Sequence, residues 1–89
     1  MLIGKIIGSV VSTRKNEKLL GSKFMIVETV NNMGKVERIV AVDDVGAGIG
    51  EQVLVATGSA ARVGCDKPDA PIDAAIVGII DSGTGIEIV

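Results

Sequence analysis

Residues 23–57 read KFMIVETV (Lys23–Val30), NNMGK (31–35), VERIVAVD (Val36–Asp43), DVGAGIGE (44–51) and QVLVAT (Gln52–Thr57). Three runs rich in β-branched residues, separated by turn-forming clusters, predict three consecutive strands. Asn31, Asn32 and Gly34 tolerate positive φ, so the first two runs form an antiparallel hairpin. Outward from this stretch, residues 2–11 predict a first strand, where Gly4 and Gly8 permit a bend or bulge. Residues 12–21 form a polar loop. Residues 58–64 predict a single helical turn with Ser59 as N-cap and Gly64 as stop. A second polar loop covers 65–71, a fifth strand 74–81, and a short terminal strand 85–89. Five or six short strands with one helical turn suit a small closed or partly closed barrel, because closure removes exposed edges.

Composition agrees. The 89 residues make one domain, spanning 1–89. Hydrophobic residues are 47%, with 13 Val and 12 Ile against four Leu and one aromatic, Phe24. Such a short chain is only modestly stable alone, yet it carries more apolar surface than its own core requires. With no His and one Cys, neither a His/Cys metal site, a His-based triad nor an internal disulfide can be built. The low cysteine count suits a reducing cytosol. The opening segment is a poor signal peptide, interrupted by Lys5, and no stretch is long and apolar enough to span a membrane. A net charge of −2 and a single aromatic argue against nucleic-acid binding.

The candidate sites are few. The glycines at 46, 48 and 50 resemble a dinucleotide fingerprint, but a strand follows them rather than a helix, and the third glycine comes one residue early. They read as a tight loop packed against another backbone. Asp43, Asp44, Glu51 and the later aspartates read as turn-capping groups that bond local N–H groups. Arg62, beside Ala60 and Ala61, suits a fork to a carboxylate such as Asp43 or Glu51 of an adjacent subunit. Cys65 reads as an inert thiol. Arg14, Lys15 and Lys18 form the basic cluster, a solvated loop or a docking point for an acidic partner.

Five blocks in order, KIIGSVVST (5–13), LGSK (20–23), AVDDVGAGIGE (41–51), GSAAR (58–62) and PIDAAIVGIID (71–81), resemble the EutN/CcmL family of bacterial microcompartment vertex proteins. The resemblance covers nearly the whole chain. It implies a mainly β fold, a small five-stranded OB-like β-barrel with one short helical turn, assembled as a homopentamer. It further implies a structural role without catalysis or cofactor: capping the fivefold vertices of a cytoplasmic polyhedral shell tiled by hexameric proteins, with no nucleic-acid or membrane partner. Asp43, Gly46, Ala47, Gly48, Gly50, Glu51, Ser59, Ala60, Ala61, Arg62 and Asp73 are expected to line or support the subunit interface, because small residues let backbones approach. The alternative is a nucleic-acid-binding OB-type module.

Overall fold

β1 (Leu2–Val10) is the strand on which the barrel closes, pairing antiparallel with β2 (Lys23–Val30) on one side and β4 (Gln52–Thr57) on the other. The computed structural model describes residues 1–13, 15–30 and 33–81, so the expected strand at 85–89, Arg14, and Asn31 and Asn32 of the hairpin turn lie outside the described residues. β3 (Val36–Asp43) and β5 (Ala74–Ile80) complete a closed barrel in the order β1-β2-β3-β5-β4. Among the described residues every strand pairing is antiparallel except β3 with β5, a parallel pairing of Val42 with Ala75 and Asp43 with Ile76. β2, β3 and β4 have the boundaries that their β-branched runs predict, because each run is stopped by polar or glycine-rich residues.

The bend expected in β1 is a bulge. Ile6 faces Val27 and Gly8 faces Ile26, leaving Ile7 without an opposite residue. Gly4 is needed for a different reason. A Cβ there would overlap Val27 Cγ1 and lie 3.0 Å from the Glu28 carbonyl oxygen, so only glycine lets β1 pass this close to β2. β2 shows the period-two pattern of a half-buried strand, with Met25, Val27 and Thr29 buried and Phe24, Ile26 and Glu28 half-buried.

Two cores result. Inside the barrel pack Ile6, Met25, Val27, Ala41, Ala47, Val53, Val55, Ala74 and Ile76. Each fully buried Val, Ile or Met contributes roughly 1.5–3 kcal/mol. The second core holds Val42, Ala61, Cys65, Ala70, Ile72 and Ala75, with Leu19 and Phe24 packed against it. It joins the outer side of the β3–β5 pair to α1 (Ser59–Gly64) and the loop that follows. This explains why Ala41, Val42 and Asp43 are buried in succession: one face of β3 meets the barrel interior and the other meets the second core.

Two expectations require correction. The loop at 12–21 contains a 3-10 turn, Glu17–Leu19, started by Asn16, whose side chain accepts from the Lys18 amide at 2.9 Å. Ser59 is not the N-cap of α1. Gly58 takes that place with φ of 64° and no side-chain cap bond, while its N–H donates to the Asp73 carbonyl at 2.8 Å. The chain must reverse sharply out of β4, and the positive φ that does so falls to glycine.

Candidate functional site

The residues singled out in the sequence separate into two clusters at opposite ends of β4. The first is the loop entering β4. Asp43 organises it: Oδ1 accepts from the Val45 amide at 3.0 Å and Oδ2 from the Ala47 amide at 2.9 Å. Lys23 Nζ stands 3.9 Å from Oδ2. Asp at a strand end thus captures the next free N–H groups, as expected from its short polar side chain. Glu51 does the same from the far end, its Oε1 accepting from the Gly48 amide at 2.6 Å. Reciprocal bonds from Gly50 N to Ile6 O (2.8 Å) and Ile6 N to Glu51 O (3.0 Å) tie the loop to β1. Gly46 and Gly50 adopt φ of 78° and 92°, conformations that L side chains resist.

The second cluster follows β4. α1 starts beside Asp73 through the Gly58 bond, and Arg62 Nη1 donates to the Ile72 carbonyl at 3.1 Å. Ser59, Ala60 and Asp73 are exposed and Arg62 half-buried. A shallow apolar groove containing Leu2, Val40, Thr57 and Ala74 opens next to Gly58 and Asp73. The six residues of β4 hold Glu51 and Gly58 at opposite ends, roughly 20 Å apart at about 3.3 Å per residue, whereas Asp43 pairs with Ile76 on β5, three residues from Asp73.

The structure revises individual roles. Ala47 and Ala61 are 1% and 0% exposed, with their methyl groups in the barrel core and the second core respectively. Neither lines a surface; each holds its segment against the protomer from behind. Asp43 likewise has no exposed side-chain area. Its carboxylate is enclosed by its own loop and Lys23 of the same protomer, which leaves the exposed Glu51 as the more accessible acceptor for the expected fork from a neighbouring Arg62. Glu51 is exposed, as are Gly46 and Gly50, and Gly48 is half-buried. Ile49, 68% exposed in the 44–51 loop, and Val63, 77% exposed on α1, are large exposed apolar side chains that the motifs did not single out. The available signal was a large apolar side chain inside a glycine-rich loop, and another on the helical turn, where polar residues would serve a monomer better.

Other chemistry is sparse. Cys65 is buried, its Sγ 3.7 Å from the Arg62 carbonyl oxygen, and packs as a small apolar side chain. Among the described residues no three His, Cys, Asp or Glu side chains are grouped as a metal site requires, and no helix is long and apolar enough to cross a membrane. No buried side-chain nitrogen or oxygen among them lacks a partner.

The model of the family described as ethanolamine utilisation protein EutN/carboxysome matches residues 1–81. The chain belongs to this EutN/CcmL family. Within the family, the microcompartment shell vertex protein GrpN of Rhodospirillum rubrum is 48% identical over 86 residues, covering 92% of this chain and 94% of the relative. The carboxysome shell vertex protein CcmL of Synechocystis is 49% identical over 84 residues, covering 92% of this chain and 84% of the relative. The solved structure of the pentameric shell protein GrpN from Rhodospirillum rubrum superposes with a TM-score of 0.80 at 45% identity, covering 100% of both chains. EutN/CcmL relatives are thus structural shell proteins on the same barrel.

Proposed function

We propose that five copies of this chain close into a ring that caps a fivefold vertex of a bacterial microcompartment shell in the cytoplasm, meeting hexameric shell proteins at its rim. The observation that carries this reading is the full-length similarity to a pentameric shell protein at 45% identity. The geometry of the protomer supports it. A contact that joins the 46–51 loop of one copy to Ser59, Arg62 and Asp73 of the next is head-to-tail, and a head-to-tail contact that closes makes a ring. In this reading Gly46, Gly48, Gly50 and Glu51 of one copy face Ser59, Ala60, Arg62 and Asp73 of the next, while Asp43, Ala47 and Ala61 support them from within the protomer. Ile49 and Val63 supply the apolar burial that an isolated protomer leaves unused.

The role is architectural and calls for neither catalysis nor cofactor. A flat hexagonal sheet cannot close, and fivefold units introduce the curvature. An acidic protein with one aromatic side chain, Phe24, is a poor match for nucleic acid, and a membrane plays no part in this assembly. Native mass spectrometry tests the reading. A dominant species at five times 9.1 kDa is expected. A stable monomer at physiological salt overturns ring formation, and six copies overturn the vertex role.

A further inference from the structure

The basic cluster of the 12–21 loop lies outside the residues assigned above to ring closure, and the fold adds to it residues distant in sequence. Where β1 ends opposite the start of β2, a shallow groove is lined by Val10, Val11, Lys15, Lys23 and Phe24 together with three serines, 9, 12 and 22. Lys15 Nζ donates to the Ser12 carbonyl at 2.8 Å, which holds the ammonium at the groove. Lys67 reaches the same place from the loop after α1, bonding Ser22 Oγ through its Nζ. An ammonium has three donors, so Lys15 and Lys67 each keep two for another acceptor. Lys23 has a side chain 58% exposed and stands 3.9 Å from the buried Asp43 carboxylate, a separation that leaves its N–H donors available to the groove. No carboxylate lines the groove among the described residues. A chain of net charge −2 thus gathers three lysines around one apolar floor.

We propose that this groove docks an acidic polypeptide segment that also carries an apolar side chain, contributed by another protein. Charge selects the acidic part, since carboxylates meet ammonium groups held in place on two sides. The floor selects the apolar part. Val11 is 89% exposed and Val10 36% exposed beside the half-buried ring of Phe24. A free oxyanion would leave this floor wet. A nucleic-acid strand needs exposed aromatic platforms, and Phe24 is packed against the second core.

The test uses the full-length protein in its assembled state and a fluorescein-labelled peptide, Glu-Glu-Leu-Glu-Glu-Leu, with anisotropy as readout at low and physiological salt. Saturable binding that weakens with salt is expected. Lys15→Gln combined with Lys23→Gln lowers affinity roughly threefold to tenfold. Val11→Ser lowers it about fivefold through lost apolar burial. Lys5→Gln, on the β1–β4 side of the barrel, leaves it unchanged. Absence of saturable binding overturns the proposal, and so does an equal loss with Lys5→Gln, which marks unspecific attraction. Equal affinity for an all-Glu peptide overturns the apolar part. Displacement by inorganic phosphate at matching concentration, or tighter binding of an oligonucleotide, reassigns the groove to another ligand class and also overturns it.

Discussion

Removing the carboxylate of Asp43 isolates what one side chain contributes to the loop entering β4. In Asp43→Ala the amides of Val45 and Ala47 both lose their acceptor, and the two consequences differ. Val45 is 42% exposed, so its N–H can turn to water, and the loss is that of an ordinary solvent-accessible hydrogen bond, net about 1 kcal/mol. Ala47 is 1% exposed and forms part of the barrel core, so its N–H has no water to replace the lost oxygen. An unsatisfied buried donor costs about 1–3 kcal/mol. The pair with Lys23 adds little, because the lysine side chain is 58% exposed and the separation is 3.9 Å. The expected total is about 2–4 kcal/mol. Asp43→Asn, which retains one carbonyl acceptor, should cost about half as much. Amide hydrogen exchange reads the effect locally: the Ala47 amide should lose protection in Asp43→Ala by roughly a factor of 30 to 1,000, with a smaller loss in Asp43→Asn. A control, Lys23→Gln, should change protection by less than about fivefold. If the Ala47 amide of Asp43→Ala exchanges as slowly as in the unaltered protein, the carboxylate does not hold this loop and the reasoning fails.

Three further substitutions separate the protomer's own packing from the contact between copies. Ile49→Asp places a charge on a side chain 68% exposed in the protomer, so folding by circular dichroism should be unchanged. Burial of that charge between copies should cost about 3–5 kcal/mol per contact and yield monomers in native mass spectrometry; an intact ring refutes the placement of the first cluster. Ala61→Arg forces a long charged side chain into the second core and should give misfolded, aggregating protein rather than clean monomers, measured by soluble yield and size-exclusion chromatography. Gly4→Ala puts a methyl group against Val27 and the Glu28 carbonyl, costing about 1–3 kcal/mol and lowering the thermal midpoint by roughly 4–8 °C per kcal/mol at matched protein concentration.

Much of this protein is written locally. KFMIVETV, VERIVAVD and QVLVAT are strands because they are rich in β-branched side chains and stop at turn-forming residues, and β2, β3 and β4 have those bounds. Asp43 as a local hydrogen-bond acceptor follows from side-chain length and position at a strand end. Absence of His and the solitary Cys exclude whole classes of site from composition alone. The ordered blocks were enough to name the family.

Tertiary structure decided what depends on residues far apart in the chain. Alanine is small enough for either an interface or a core, and nothing local distinguishes Ala60, exposed, from Ala61, buried under Cys65, Ile72 and Ala75. The two-residue parallel pairing that joins β3 to β5 closes the barrel, and no local pattern announces it. Lys67 meets Ser22 across 45 residues of sequence, and so builds a basic groove that the 12–21 loop alone does not define. Periodicity and turn chemistry act between neighbours and can be read directly. Burial, closure and charge convergence depend on how strands pack, and those emerged only from the folded barrel.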